Sequence, residues 1–298
     1  MSSDAEILAR YAEGQTQASI ARALHVGRTR IARVAAQAGA LRSRSGAIRL
    51  RYPAREGAFE VASPEARYWA GFILGDGCVL TPLGKSRTLD MGVAILDRGH
   101  LEALAGFLGL PPSRVRTTRD MGHLSARLSI RSERICSSLE RYGVGPRKTG
   151  KEVIPSWLAG DRDYWRGIFD ADGSLFFSGR NGAPGIKVTG GWEMAAAFAR
   201  LVRAIYPRCD PKASFDHGAY TAKTEGWHAV SKVVRFLYAD GDVALPRRQA
   251  LVALTLKRYA EGTASGKIQP RNPAARGATP VATSELRVLA WVAGGRRA

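Results

Sequence analysis

The sequence has little cysteine and no long apolar segment. Its three cysteines, Cys78, Cys136 and Cys209, are isolated and odd in number. This usage matches neither a disulfide framework nor a zinc pattern, so it predicts reduced thiols in a cytoplasmic protein. No run approaches the roughly 18 apolar residues of a membrane span, and the N-terminal residues lack the pattern of a secretory signal. We therefore expect no association with a membrane.

Acidic residues are also scarce. The 298 residues include 26 Asp and Glu against 45 Lys and Arg, which gives a formal net charge of +19. An excess of this size favours a polyanionic partner, because basic side chains neutralise phosphates and release counterions. Nucleic acid is therefore the expected partner. An anionic membrane surface is the rival interpretation, but the sequence offers no basic amphipathic helix or lipidation signal to support it.

Residues 1–45 are predicted to form a small all-α domain of three short helices. A tight turn near residues 25–27 separates the second helix from the third, which is helix-turn-helix geometry. The stretch resembles the helix-turn-helix modules of recombinases and transposases. The predicted DNA contacts lie at the start of the third helix and are Arg28, Thr29, Arg30 and Arg33. The alternative is a plain three-helix bundle with solvated arginines. Residues 46–62 are predicted to be a basic linker.

The rest of the chain contains an internal repeat. The segment WAGFILGDG at 69–77 is followed 96 positions later by WRGIFDADG at 165–173 (172 − 76 = 96), and a tyrosine precedes each copy. Each copy is predicted to be a helix, and together with the elements that follow it gives the same order in both repeats, α-β-β-α-β-β-α. The repeats are assigned to residues 63–150 and 151–262, and the tail 263–298 receives no role.

Both hairpins that follow the Asp-Gly pairs carry basic or polar residues near their tips. We predict that these residues contact DNA: Lys85 and Arg87 in the first repeat, and Arg180, Asn181 and Lys187 in the second. Strands of about ten residues would each span roughly one helical turn of DNA, so two repeats predict a target of roughly 20 base pairs. Because the two hairpin sequences differ, an asymmetric target and a monomeric protein are expected.

The small residues of the motifs predict close helix packing. On a helix over 69–76, Gly71 and Gly75 fall on one face, as do Gly167 and Ala171 in the second copy. Two such faces allow the helix backbones to approach closely, which would join the repeats. The larger motif residues Phe72, Ile73, Ile168 and Phe169 would then pack into the core of each repeat. Gly77 and Gly173 are predicted to be left-handed C-terminal caps.

This packing would bring two carboxylates together. Asp76 and Asp172 would lie at helix C-termini, where each faces the negative end of a helix dipole and a like charge. Bound divalent cations would relieve this conflict, and hard oxygen ligands suit Mg²⁺. Carboxylates that hold metal beside a phosphodiester are the arrangement used by metal-dependent nucleases. Mn²⁺ is expected to substitute for Mg²⁺, and Ca²⁺ to support binding without efficient turnover.

Residues 63–262 resemble the LAGLIDADG homing endonucleases, on the two motif copies and the order of the elements around them. The resemblance implies that Asp76 and Asp172 are the metal-binding catalytic pair, and Gly75 and Ala171 are included in the candidate metal site. It implies two four-stranded sheets forming a saddle over the DNA major groove, and cleavage across the minor groove that leaves staggered ends. The first copy departs from the family motif at Leu74, where the second has Asp170. Arg127 and Lys223, at the same 96-residue offset, are candidate basic residues of the active site.

Another basic segment, GPRKTGKE at 145–152, nearly spells a phosphate-binding P-loop. It has Glu152 where such a loop needs Ser or Thr, and no strand-helix context surrounds it. We therefore interpret it as the connector between the two repeats.

The sequence thus predicts an α+β protein made of two pseudo-symmetric αββαββα repeats after an all-α helix-turn-helix domain. The predicted function is site-specific, metal-dependent cleavage of double-stranded DNA. Two alternatives stay open, a transcription regulator with a retired LAGLIDADG domain and an RNA-binding intron maturase. The first is disfavoured because both acids are present.

Overall fold

The computed structural model describes residues 3–42, 53–84, 86–120, 122–179, 182–239 and 243–269. The chain divides into two compact units, one of residues 1–55 with 105–114 and one of residues 56–104 with 115–298. Three of the predicted DNA contacts, Lys85, Arg180 and Asn181, lie outside the described residues, as do much of the predicted linker and nearly all of the tail.

The N-terminal part of the first unit is a three-helix bundle. Its helices are α1 (Asp4–Ala12), α2 (Gln17–Leu24) and α3 (Arg28–Gln37). The side chains of Ser3 and Thr16 cap the first two helices, and each accepts a hydrogen bond from the backbone N–H group of the third residue of its helix. The buried apolar side chains that hold the bundle together are Ile7, Tyr11, Ile20, Ile31, Val34 and Ala35. Between α2 and α3 the chain turns at His25, which adopts the left-handed conformation with a φ of 52°.

The first repeat has the predicted order of elements. It comprises α4 (Pro64–Asp76), β1 (Gly77–Leu80), β2 (Thr88–Ala94), α5 (Arg98–Phe107), β3 (Arg116–Asp120), β4 (His123–Arg131) and α6 (Glu133–Glu140). Its sheet is antiparallel with the strand order β1-β2-β4-β3.

The second repeat follows the same order. It comprises α7 (Arg162–Asp172), β5 (Gly173–Phe177), β6 (Pro184–Gly190), α8 (Trp192–Ile205), β7 (Lys212–Asp216), β8 (Ala219–Glu225) and α9 (Trp227–Tyr238), after which the chain continues into α10 (Pro246–Ala264). The sheet order is β5-β6-β8-β7. The predicted α+β repeat architecture is confirmed.

The predicted strand length is wrong. The expected strands have about ten residues, whereas the described strands range from four residues in β1 to nine in β4. After β8, the chain enters helix α9 at Trp227. Gly226 has a φ of 104°, a backbone conformation that ends the strand and redirects the chain into the helix.

The two motif helices α4 and α7 pack backbone against backbone. A Cβ added at Gly71 would lie far inside van der Waals contact with the carbonyl oxygen of Tyr164, and one at Gly167 would meet the carbonyl oxygen of Tyr68 in the same way. These two contacts are related by the 96-residue offset. At the next turn, Gly75 faces Ala171, so only one of the two equivalent positions has room for a methyl group. The predicted close approach of the helices is therefore present.

The prediction of left-handed caps at Gly77 and Gly173 is wrong. Both residues are extended, with φ of −91° and −82°, and each is the first residue of a strand. Glycine is required there by space: a Cβ at Gly77 would lie 2.6 Å from both Ile73 Cγ2 and Met91 Sδ. A helix that continues directly into a strand leaves no room for a side chain at the junction.

Other features agree with the sequence. The motif side chains Phe72, Ile73, Ile168 and Phe169 are buried. The three cysteines are free thiols that differ in exposure. Within the described part of the chain, no helix is both long enough and apolar enough to cross a membrane.

The close approach of α4 and α7 predicts a strong effect of a single methyl group. Gly71→Ala should destabilise the protein by about 3 kcal/mol or more, because the neighbouring backbone cannot move aside without separating the helices. Gly106→Ala is the matched control, since a Cβ at this helical glycine meets nothing within 4 Å. The control should raise stability by about 0.5–1 kcal/mol. Urea unfolding of both variants tests this, and equal effects would refute the packing argument.

Candidate active site

The C-termini of α4 and α7 bring the two motif aspartates together. Each helix has a defined start, because the side chains of Ser63 and Asp161 cap the two N-termini and Pro64 occupies the first turn of α4. Asp76 and Asp172 are the last residues of the two helices. Asp172 Oδ2 lies 2.9 Å from the position that a Cβ at Gly75 would occupy, so its carboxylate reaches across the helix interface.

Both carboxyl groups have perturbed acidities. Burial raises the pKa of Asp76 to about 6, although the residue retains solvent access, and the positive charges of Lys148, Arg247 and Arg248 oppose this rise. Burial also raises the pKa of Asp172 to about 6, with a further contribution from the negative charge of Asp76. The like-charge repulsion inferred from the sequence is thus present, but burial is the larger cause.

Lys148 of the connector lies beside both aspartates. Its ammonium group donates hydrogen bonds to the carbonyl oxygens of Leu74 and Gly75, and the second of these bonds measures 3.0 Å. Burial lowers the pKa of Lys148, and the negative charges of Asp172 and Glu152 oppose that effect. A cation therefore already occupies the negative end of α4.

Two arginines at the start of α10 approach the same site. Arg248 donates a hydrogen bond to the carbonyl oxygen of Gly173, the residue that follows Asp172. Arg247 pairs with Asp97 through contacts of 3.0 Å, and the charges of both arginines act on Asp76. The basic side chains near the end of the second motif helix thus come from α10, the helix that follows the second repeat.

A buried aspartate fixes the start of α10. Asp170 of α7 is completely buried and accepts hydrogen bonds from the hydroxyl of Tyr68 at 2.7 Å, from the hydroxyl of Tyr238, and from the backbone N–H of Leu245 at 2.7 Å. Leu245 caps α10 directly before Pro246. The first motif has Leu74 at the equivalent position, so this anchor exists in one repeat only.

The predicted basic residues Arg127 and Lys223 occupy matching positions on the exposed faces of the two sheets. Arg127 on β4 lies opposite Arg116 and is paired with Asp90. Lys223 on β8 lies between Lys187 and Lys212 and contacts Glu225 at 2.8 Å. Both are solvent-accessible. Neither is among the charges that act on the aspartates.

The remaining predicted DNA contacts are placed as follows. Lys187 on β6 is half-buried and lies opposite Lys223 on the second sheet. Arg87 lies against α6, where Glu133 at 2.7 Å, Glu140 and Ser137 hold its guanidinium. On α3, Arg28, Thr29 and Arg33 are exposed, whereas Arg30 pairs with Asp4 of α1 at 2.8 Å.

The donor set suits a hard divalent cation. Two carboxylates lie together at the ends of two helices, where the last backbone carbonyl oxygens have no partner within the helix, and oxygen ligands of this type are those that Mg²⁺ and Ca²⁺ prefer. Among the described residues, no group of three or more His, Cys, Asp and Glu side chains could hold a metal ion. A metal at this site would therefore take its remaining ligands from carbonyl oxygens, water or a substrate phosphate.

Lys148, Arg247 and Arg248 are not among the site residues predicted from the sequence. A signal was available: each repeat is followed, shortly after its last helix, by a short basic stretch, PRK at 146–148 and PRR at 246–248. From the sequence, the first stretch was interpreted as part of the connector between the repeats, with no role at the site.

No protein-family model matches the sequence, and no curated protein matches it. Three similar solved structures are the LAGLIDADG meganuclease I-AabMI bound to uncleaved DNA, the LAGLIDADG homing endonuclease I-GzeII in complex with its DNA target, and I-SmaMI bound to uncleaved DNA in the presence of calcium ions. Their TM-scores are 0.46, 0.49 and 0.47, and their sequence identities 12%, 10% and 12%. The matches cover 69%, 80% and 79% of this chain, and 96%, 99% and 99% of the other chains.

The chain is similar in fold to LAGLIDADG homing endonucleases. The similarity is one of fold alone at these identities, so the function proposed below rests on the residues of this chain.

The raised pKa values predict how stability depends on pH in metal-free buffer. A carboxyl with a folded-state pKa near 6 keeps its proton at pH values where the unfolded chain has lost it, so Asp76 and Asp172 reduce the stability of the wild-type protein as the pH rises from about 4 to 6. Asp172→Asn removes the contribution of Asp172 and the repulsion between the two carboxylates. Its Tm relative to wild type should therefore be higher at pH 7.5 than at pH 4. Calorimetry with EDTA present tests this, and a constant difference across the range would contradict it.

Proposed function

We propose that this chain is a LAGLIDADG homing endonuclease that cleaves double-stranded DNA at a specific site with the help of a divalent cation. The observation that carries the proposal is the meeting of Asp76 and Asp172 at the ends of two helices whose backbones touch. Two like-charged carboxylates at the negative ends of two helices are unfavourable for stability alone, even beside three basic side chains. It is well suited to hold a cation next to a phosphodiester.

Asp76 and Asp172 would hold the cation, with the carbonyl oxygen of Ala171 as a further candidate ligand. The carbonyl oxygen of Gly75, the other candidate, already accepts a hydrogen bond from Lys148 and would have to be released to bind metal. When bound, a divalent cation supplies positive charge at the reacting phosphate and increases the acidity of water. Lys148 and Arg248 are placed to balance the negative charge that develops on the phosphate oxygens during hydrolysis. Mg²⁺ is the proposed physiological ion, Mn²⁺ a functional substitute, and Ca²⁺ an ion that supports binding with little turnover.

The sheets provide the surfaces that would bind DNA. A row of Lys187, Lys223 and Lys212 crosses three strands of the second sheet, with Lys187 half-buried and the other two exposed, and the exposed pair of Arg116 and Arg127 occupies the first. Such rows neutralise successive phosphates, and neighbouring polar side chains could read bases in the major groove. Because the two faces differ and belong to one chain, we propose a monomer on an asymmetric target of roughly 20 base pairs or more.

The three-helix bundle is proposed to be a helix-turn-helix module that adds affinity for DNA. The exposed residues Arg28, Thr29 and Arg33 follow the turn at His25 and lie in the N-terminal part of α3. In a recognition helix, the N-terminal residues contact base edges. Covalent linkage to a second DNA-binding surface would raise its effective concentration at the target.

The first test is cleavage of a randomised duplex library with Mg²⁺, followed by sequencing of the ends and assay of the recovered target. Asp76→Asn and Asp172→Asn should each lower the double-strand cleavage rate by on the order of 10³, because several kcal/mol of charge stabilisation are lost. Binding measured in Ca²⁺ should change little. Specific binding without any cleavage by the wild-type protein would instead favour a transcription regulator, and selective binding of intron RNA a maturase.

The second test concerns α3. The double variant Arg28→Gln/Arg33→Gln should make the plot of log affinity against log salt less steep, by about 2 in the magnitude of its slope. Each lost contact between a basic side chain and a phosphate reduces that magnitude by about 1. The position of the cut should stay the same. Arg10→Gln/Arg22→Gln removes the same formal charge from α1 and α2 and is the matched control. Equal losses in the two double variants would indicate a non-specific charge effect and count against the recognition helix.

A further inference from the structure

A buried glutamate in the connector is used by none of the roles assigned above. Glu152 is 6% exposed, although its neighbours Lys151 and Val153 are exposed. Its Oε1 accepts a hydrogen bond of 3.0 Å from the backbone N–H of Gly150, and its Oε2 accepts one of 2.8 Å from the backbone N–H of Gly191. Burial of a carboxylate is costly, and two N–H donors, one to each oxygen, offset that cost.

The residues before Glu152 form a tight turn. The N–H of Lys151 donates to the carbonyl oxygen of Lys148 at 2.7 Å, and Gly150, the third residue of the turn, has a φ of 75°. A positive φ at this position is the requirement of a type II turn, which glycine meets without strain. Lys148 is therefore the first residue of a turn whose last residue directly precedes Glu152.

This turn is seated on the second repeat. Gly191 is the residue that caps α8. A Cβ at Gly191 would lie 2.6 Å from Glu152 Oε2 and 2.7 Å from the carbonyl oxygen of Gly150, so the connector approaches as closely as glycine permits. The side chain of Lys148 extends from the same turn to the carbonyl oxygens at the end of α4. The connector thus touches α8 through Glu152 and α4 through Lys148.

We infer that Glu152 is a positioning residue for the candidate active site: by binding the N–H groups of Gly150 and Gly191, it fixes the turn that places Lys148 beside Asp76 and Asp172. The inference rests on the proposed function. Glu152 binds backbone N–H groups and is proposed to act through Lys148. Its negative charge also raises the pKa of Asp172 directly, but loss of that charge in Glu152→Gln favours the ionised carboxylate and therefore cannot explain slower cleavage. A lysine on a long flexible side chain reaches one point reliably only when its backbone is held.

The experiment is a double-mutant cycle on the full chain. Glu152→Gln keeps the size of the side chain but turns an NH₂ group toward one of the two N–H donors. It should lower the single-turnover cleavage rate by about 10- to 100-fold, as expected for a displaced catalytic group. The affinity for DNA in Ca²⁺ should stay within about 3-fold. Lys148→Met should have an effect at least as large.

The decisive variant is Glu152→Gln/Lys148→Met. If Glu152 acts through Lys148, the double variant cleaves no more slowly than Lys148→Met alone. A merely structural role would slow the double variant by the product of the two single effects, and that result would overturn the inference.

Gly191→Ala perturbs the same contact by changing the residue whose N–H group binds Glu152. Its Cβ should displace the carboxylate and the turn, with a loss of cleavage similar to that of Glu152→Gln and no further loss in the Lys148→Met background. Gly106→Ala on α5 is the control, because a Cβ there meets nothing within 4 Å and the residue belongs to none of the proposed DNA-binding surfaces. Wild-type rates in Gly191→Ala would overturn the inference even if Glu152→Gln failed to fold.

Amide hydrogen exchange separates this inference from the proposed function. In wild-type protein the N–H groups of Gly150 and Gly191 should exchange slowly, and Glu152→Gln should accelerate both by about 10-fold or more. If wild-type protein cleaves no DNA, the proposed function fails, and the exchange rates still decide whether Glu152 holds the turn. Unchanged exchange, or accelerated exchange with a wild-type cleavage rate, would refute the positioning role.

Discussion

The contact between the backbones of α4 and α7 is the constraint on which the rest of the second unit depends. Gly71 and Gly167 remove the side chains that would separate the helices, and each faces a carbonyl oxygen of the opposite repeat. Two consequences follow from this contact. The helix ends arrive together, which brings Asp76 and Asp172 into mutual range, and each helix passes directly into the first strand of its own sheet. At the helix ends, burial raises the pKa of both carboxyl groups, and the charge of Asp76 adds to the rise at Asp172.

The two repeats support this shared centre by different means. In the first, a lysine from a glycine-containing turn reaches the end of α4, and a glutamate outside the motif holds the turn. In the second, the motif's own Asp170 holds the start of α10, from which Arg248 reaches the end of α7. The two repeats share the order of their helices and strands, but the side chains that support the site differ between them.

Much of the fold could be predicted from the sequence, because the motif spacing and the periodicity after it are local signals. The motif helices, the order of the elements and the meeting of the aspartates all followed from them. An Asp-Gly helix end, however, has the same letters whether glycine serves a left-handed cap or a close approach, so Gly77 and Gly173 were misassigned. Lys148 and Glu152 could not be found by periodicity either, since their roles arise from contacts with Leu74, Gly75 and Gly191 that only the folded chain creates.

The direct passage from motif helix to first strand separates two properties of the proposed nuclease. The spacing of the two carboxylates is determined where the helix backbones touch, whereas the exposed side chains proposed to contact DNA lie outward along the strands. Substitutions on the sheet faces leave the helix interface untouched. The surface proposed to recognise DNA can therefore change in sequence while the spacing of the two carboxylates stays constant.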